Sequence, residues 1–163
     1  MPKLLVVKGD PVSGTDQHNV KGDFTNPSPP PATLPSVWVG DYGYAGSITD
    51  GLSDFVTVNG TPLALTSSQS SLDPGEAASG KHFGANGGNF QPTAPAPIPA
   101  TLSITDSPLG GGTPNAGAGS GLLTVNGVRA LLAGDAIDTC SGIGVPADSA
   151  VAAQGQDFVS CSE

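Results

Sequence analysis

Short apolar runs separated by turn residues make up most of the chain. The runs are four to six residues long, are rich in Val, Leu, Ile and Thr, and are bounded by Gly, Pro, Asn and Asp. Such runs are typical of short β-strands, and the frequent Gly and Pro leave no window long enough for an amphipathic helix. The pattern therefore predicts an all-β domain and excludes a helical bundle. The predicted strands are Lys3–Lys8, Ser36–Val39, Phe55–Asn59, Pro62–Thr66, Thr101–Ile104, Leu122–Asn126, Val128–Ala133 and Asp157–Ser160.

Composition narrows this picture to one domain with a thin core. The 24 Gly and 16 Pro account for 40 of the 163 residues, close to the proportion at which low-complexity sequence is expected. They concentrate in Thr25–Pro35, Ser67–Ala100 and Ser107–Gly121, the first predicted to be polyproline-like and the last a flexible or tightly turned loop. We expect a single domain over residues 1–163, in which residues 67–121 form a long loop insertion between repeated units.

One short unit occurs twice and predicts repeated hairpins. Phe55–Gly60 (FVTVNG) recurs as Leu122–Gly127 (LLTVNG), with TVNG identical in both copies. Asn-Gly between apolar strands favours a type I′ turn, in which both central residues have positive φ. A weaker third copy is Leu4–Gly9 (LLVVKG). The matching apolar frames favour duplication of a hairpin unit over chance.

A second repeated unit is an apolar strand followed by Gly-Asp. Val6–Asp10 (VVKGD) precedes a loop that reaches His18, and Leu131–Asp135 (LLAGD) precedes a loop that reaches Cys140. In such a turn the Asp side chain accepts hydrogen bonds from backbone amides, and Gly supplies the unusual dihedral angle. Both units therefore lead to a residue that is able to bind a metal.

The charge balance excludes several partners. The 14 acidic residues exceed the five basic ones, which gives a net charge of −9. Clustered Lys and Arg bind phosphate backbones and anionic lipid, so neither nucleic acid nor an anionic membrane surface is an expected partner. The apolar run within Met1–Lys8 is shorter than a signal peptide or a membrane span requires. We therefore expect synthesis in the cytoplasm without a signal peptide.

The best candidates for chemistry are the two His and the two Cys, which are His18, His82, Cys140 and Cys161. Cys2His2 is a common tetrahedral set for structural zinc, although the long spacings here match no finger or ribbon. One alternative is a Cys140–Cys161 disulfide, which a reducing cytoplasm disfavours. Another is that the four residues are unrelated. From the residues alone, these three interpretations stay open.

Catalytic patterns are weak. Gly75–His82 has the Gly and Lys spacing of a P-loop, but His82 stands where Ser or Thr would hold magnesium, and no strand precedes it. No Gly-x-Ser-x-Gly elbow occurs, and the scattered acids mostly adjoin turn residues. Trp38, Tyr42 and Tyr44 are more typical of core or interface positions than of an aromatic binding face. We predict that the protein is not an enzyme.

Several motifs follow one another in a characteristic order. They are Gly9–Ser13 (GDPVS), the later His18, the hairpin units Val56–Ala64 and Leu123–Leu131, Gly134–Cys140 (GDAIDTC) and the closing Val151–Cys161. In this order the motifs resemble those of the PAAR-repeat proteins, which cap the spike of contractile injection systems. The resemblance covers about half of the chain.

The resemblance implies a cone of β-hairpins with pseudo-threefold symmetry, whose broad base sits on a trimeric VgrG-like spike. It also implies one structural zinc per chain near the apex, held by His18, His82, Cys140 and Cys161. Compact members of the family usually use three His and one Cys, so this set departs from the pattern.

The function implied by the resemblance is mechanical. The chain would be the point that pierces a target envelope, contacts the membrane transiently and carries effector or cargo proteins. It would assemble in the bacterial cytoplasm and act at the tip of the particle, extracellularly or in the target cell.

Two other classes of protein are alternatives. One is a secreted β-sandwich, stapled by a disulfide, that binds a ligand or carbohydrate through Trp38, Tyr42 and Tyr44. The other is a small metallohydrolase whose zinc keeps an open position for water.

Overall fold

A computed structural model describes residues 1–26, 32–72, 100–104, 111–139 and 149–162. Within these ranges the protein is all-β and contains no helix, as the apolar pattern predicted. The strands are β1 (Lys3–Leu4), β2 (Pro11–Asn26), β3 (Ala32–Asp50), β4 (Thr57–Val58), β5 (Thr61–Pro62), β6 (Gln69–Leu72), β7 (Ala100–Ile104), β8 (Gly111–Pro114), β9 (Thr124–Val125), β10 (Val128–Arg129), β11 (Ile137–Asp138), β12 (Ala150–Val151) and β13 (Ser160–Cys161).

Six of the strands form a sheet that almost closes on itself. Their order is β11-β8-β6-β3-β2-β12, with β7 paired to β2 off this path. The two ends of the sheet meet at a single bridge between Ala136 and Ala150. The amide of Ile137 donates to the carbonyl of Ser149 at 2.9 Å beside this bridge. Near-closure leaves few unpaired strand edges, which are otherwise sites of unwanted pairing.

The longest pairing is the antiparallel ladder of β2 and β3. It runs from Pro11 opposite Ser47 to Asn26 opposite Ala32. The sequence predicted only Ser36–Val39 as a strand here, because about half of the surrounding residues are Gly, Asp, Asn or Thr and large apolar residues among them are sparse. The polyproline-like prediction for Thr25–Pro35 is wrong at both ends, which belong to β2 and β3; residues 27–31 lie outside the described residues.

Part of the predicted loop insertion, residues 67–121, contributes strands to the sheet. β6 pairs with β3 on one side and with β8 on the other. Gly112 in β8 allows this close packing, because a Cβ there would lie 2.7 Å from Ser70 Oγ and 2.9 Å from Ile137 Cγ2. The small residues that predicted a loop here are therefore the residues that a tightly packed strand requires at this position.

Three short segments pair in a cycle beside the sheet. We call residues 5–7, 63–65 and 130–132 the three-segment layer. The amide of Val6 donates to the carbonyl of Leu131 at 3.1 Å, Leu131 donates to Ala64 at 3.0 Å, and Ala64 donates to Val6 at 2.9 Å. Isolated bridges join the same segments and are Leu5–Leu132, Val7–Leu63 and Leu65–Ala130. Each segment thus contacts both of the others.

Each segment of the layer is continuous with a two-stranded pair. β4 pairs with β5 and β9 with β10, and both connections are Asn-Gly turns in which all four residues have positive φ, between 50° and 81°. This confirms the type I′ prediction. The third pair is β1 with β13, so residues from near the two ends of the chain form an equivalent ladder.

The alternation of side chains along the layer separates two apolar clusters. The sheet cluster consists of Val6, Val12, Tyr44, Ile48, Ala64, Ala118, Leu131, Ile137 and Val151. The hairpin cluster consists of Leu5, Val7, Val58, Leu63, Leu65, Val125, Ala130 and Leu132, with Val56, Leu123, Val128, Val159 and Cys161 partly buried against it. The thin core expected from composition is therefore divided by the layer into two small cores.

Candidate functional site

The two predicted metal ligands that the structure describes, His18 and Cys161, lie in different strands. The backbone of His18 lies in β2, opposite Gly40 of β3. Cys161 lies in β13, opposite Lys3 of β1. His82 and Cys140 lie outside the described residues. Two of the four positions can therefore be compared.

The surroundings of Cys161 are those of a packed side chain. It is half-buried against the hairpin cluster, and its Sγ lies 3.2 Å from the Oγ of Ser120. In the ladder it occupies the position that Val58 and Val125 occupy in the other two pairs. Cys behaves as a small apolar side chain in such a setting, so Cys161 fills the place of a third valine.

The two comparable positions do not converge on one site. Cys161 packs in the hairpin cluster, whereas β2 enters the sheet cluster through Val12, on the opposite face of the three-segment layer. His18 lies six residues beyond Val12, roughly 20 Å along an extended strand. Within the described part of the chain, no group of three or more His, Cys, Asp or Glu is arranged to hold a metal ion. The four-residue zinc set therefore stays a prediction.

The first Gly-Asp turn contains a buried carboxylate that joins distant parts of the chain. Asp10 is 1% exposed. Its Oδ2 accepts from the amide of Val7 at 2.8 Å, and its Oδ1 accepts from the amides of Gln154 and Gly155 at 2.8 and 2.6 Å. Gly9 has φ of 88°. These contacts confirm the predicted role of Gly-Asp, and they also attach the connection between β12 and β13 to the first turn.

Equivalent turns occur after the other two segments of the layer. Asp135 Oδ2 accepts from the amides of Leu132 and Gly119, both at 2.8 Å. Ser68 takes the corresponding position in the remaining turn, where its hydroxyl accepts from the amide of Leu65 at 2.9 Å. The repeated Gly-Asp motif did not reveal this third turn, because Ser68 stands where the other two turns have Asp.

A second side chain fixes the start of each hairpin. The amide of Val56 donates to Ser53 Oγ at 2.9 Å, and the amide of Leu123 donates to Ser120 Oγ at 3.1 Å. In the third unit the amide of Val159 donates to the Oε1 of Gln156 at 2.7 Å. These hydrogen bonds order the backbone of three short turns that sequence reasoning did not single out.

Each ordered turn exposes one large apolar side chain. Phe55 is 65% exposed, Leu122 is 72% exposed and Phe158 is 63% exposed. Each lies two residues after the side chain that fixes its turn and one residue before a side chain packed against the hairpin cluster. We call Phe55, Leu122 and Phe158 the exposed triad. In the sequence, Phe55 and Leu122 lie at the same offset from the TVNG motif of their respective copies. A predicted strand does not tell which of its side chains are exposed, so this signal alone could not identify the triad.

The residues that precede the triad differ in charge. Asp54 and Asp157 are exposed directly before the two phenylalanines, whereas exposed Gly121 precedes Leu122. The apolar residue is thus the feature common to all three turns, and an acidic neighbour is present in two of them.

Of the three aromatic residues in the alternative binding face, Tyr44 has a buried side chain. Tyr44 is 3% exposed and belongs to the sheet cluster, and its hydroxyl lies 2.9 Å from Ser70 Oγ. The prediction that these aromatics are more typical of a core is confirmed for Tyr44. Trp38 and Tyr42 lie on the same strand, β3.

Comparison with known proteins found no match: no family model, no curated protein and no solved structure corresponds to this chain. The part of the chain that the structure describes also includes no helix long and apolar enough to span a membrane.

Proposed function

We propose that the protein is a non-enzymatic, structural tip that caps the trimeric VgrG-like spike of a contractile injection system. The observation that carries the proposal is the cyclic three-segment layer, in which Val6, Ala64 and Leu131 donate and accept hydrogen bonds around a ring. One chain with three equivalent units has a surface that can match a partner of three identical subunits. This geometry adds to the motif resemblance but is independent of it.

Two further correspondences support pseudo-threefold symmetry. The strand pairs β4–β5, β9–β10 and β1–β13 have the same register. The turn residues Ser68, Asp135 and Asp10 each accept an amide from the preceding segment. The three units are therefore proposed to be copies of one hairpin unit, the third assembled from both ends of the chain.

The proposed shape is a cone that stands on its hairpins. In this arrangement the strand pairs and the exposed triad form the broad base, and the sheet built from β2, β3 and their neighbours leads to the point. Contraction of the system would drive this point into the target envelope, with transient contact to the membrane. Effector or cargo proteins would travel with the tip, which is proposed to assemble in the bacterial cytoplasm and act outside it.

We also propose a structural zinc near the point of the cone. Its proposed role is to stabilise the fold, and the seating of the chain on the spike does not depend on it. Zinc contributes to folding directly in small domains with thin cores. Cys161 packs at the base in this arrangement, so we propose His18, His82 and Cys140 as the ligands to test first.

The test is assembly with a spike. The full chain would be co-expressed with trimeric β-helical spike proteins encoded in the same genome, and the complexes would be weighed by native mass spectrometry. We expect one chain per three spike subunits. Absence of any complex, or a complex with three chains per trimer, would contradict the proposal.

A further inference from the structure

We infer that the exposed triad, Phe55, Leu122 and Phe158, provides the three anchors by which one chain seats on a homotrimer. Each side chain would enter the same apolar site on a different subunit. This inference rests on the proposed function, since it names the contact surface and the chemistry of the partner.

The first argument is the position of the triad. Large apolar side chains stand at one equivalent position in all three units, and they are between 63% and 72% exposed. Their neighbours Val56, Leu123 and Val159 pack against the hairpin cluster. A chain with so few large apolar residues loses core stabilisation by leaving three of them in water. Their recurrence at the same position of each unit therefore favours a binding role over chance exposure.

The second argument is the order of the turns that hold the triad. Ser53, Ser120 and Gln156 each bind the amide three residues later, and Ser120 and Gln156 also bind the amide of the triad residue itself at 3.1 Å. Anchors held on an ordered backbone lose little conformational entropy when they bind. The triad is therefore suited to act as a set of interface hot spots.

The third argument concerns the chemistry of the partner. A 120° rotation of the chain on a homotrimer exchanges the three anchors among identical sites, so each site must accept both Phe and Leu. The acidic residues Asp54 and Asp157 have no counterpart at Gly121, so an ion pair is not common to the three contacts. The partner site is therefore inferred to be an apolar depression that tolerates different shapes, and not a basic pocket.

The experiment measures binding of the full chain to the co-expressed trimeric spike by biolayer interferometry. We expect Phe55→Ser or Phe158→Ser to weaken binding by about 10-fold each, and Leu122→Ser by somewhat less. The triple variant should weaken it by at least about 100-fold. Leu122→Phe should retain binding, and an increase from 0.1 to 0.5 M NaCl should change the affinity of the wild-type chain by less than about threefold.

The matched control is a triple variant at exposed positions in or directly beside the sheet, Gln69→Ser, Thr113→Ser and Ala152→Ser, which should bind as the wild-type chain does. The triad variants should unfold at the wild-type temperature, because the altered side chains are exposed. A wild-type complex of one chain per trimer that the triad triple variant forms equally well would overturn this inference alone. A steep loss of affinity with salt would overturn the apolar chemistry, and a wild-type chain that binds no trimer would overturn the proposed function as well.

Discussion

At the scale of single residues, a few side chains accept hydrogen bonds from backbone amides in the turns, in place of backbone carbonyls. Asp10 is the clearest case, because one buried carboxylate accepts three amides and two of them are 144 and 145 positions away in the chain. A local motif predicted the contact within the turn. It did not predict the contacts to Gln154 and Gly155, because nothing in either segment specifies its distant partner.

The three turn residues should differ in importance according to the number of amides they accept. We expect Asp10→Ala to lower the free energy of unfolding by about 3 kcal/mol or more, since it leaves three amides without an acceptor. Asp135→Ala, which frees two amides, should cost less, and Ser68→Ala should cost about 1 kcal/mol. Urea unfolding of the three variants measures the order. Equal effects would contradict the proposed dependence on accepted amides.

Adjacent glycines in β8 provide a second contrast at the residue scale. We expect Gly112→Ala to lower the free energy of unfolding by about 1–3 kcal/mol, because the new Cβ would crowd Ser70, Ile137 and Thr139. The control is Gly111→Ala, whose Cβ would meet only the carbonyl of Ser70 at 3.6 Å and should cost little. Thermal unfolding of both variants measures the difference. A loss at Gly111 as large as that at Gly112 would contradict the close packing of β8 against β6.

At the scale of elements, local signals succeeded and non-local pairings did not. The two TVNG hairpins form as predicted because Asn and Gly at the turn carry their own conformational preference. The β2–β3 ladder was largely missed because large apolar residues are sparse in both strands. The β1–β13 pairing was missed because its strands lie at opposite ends of the sequence. Such pairings depend on neighbours that only the folded chain provides.

The hairpin turns give a prediction at the element scale. Gly60 and Gly127 both have φ of 81° with open space around the missing Cβ, so the cost of alanine is one of backbone strain alone. We expect Gly60→Ala and Gly127→Ala each to lower the free energy of unfolding by about 1 kcal/mol. Gly117→Ala is the control, since Gly117 also has open space but no positive φ. Chemical denaturation of the three variants should separate Gly117 from the other two.

At the scale of the whole molecule, the ends of the chain complete what the sequence showed only in part. Two hairpin units are recognisable as repeats in the sequence, whereas the proposed third unit consists of β1 and β13, which pair only in the folded chain. The exposed triad has the same origin, because Phe158 is comparable with Phe55 and Leu122 only when the third unit is complete. The candidate site could therefore not be predicted from local patterns, although two of its three residues lay in the recognised repeats.

Completing the third unit also changes what is expected of Cys161. If it takes the place of a third valine beside Val58 and Val125, Cys161→Val should preserve or slightly raise stability and leave bound zinc unchanged. Cys140→Ser should instead remove the zinc predicted at about one per chain and lower the unfolding temperature, since structural zinc contributes about 10–16 kcal/mol of apparent folding free energy.

Metal analysis by mass spectrometry and thermal unfolding of both variants separate the two roles. Loss of zinc from Cys161→Val would restore Cys161 to the ligand set and contradict its packing role. A wild-type chain that folds stably without metal would contradict the zinc prediction itself. The proposed threefold base and its three proposed apolar anchors would then still be tested by assembly with the spike.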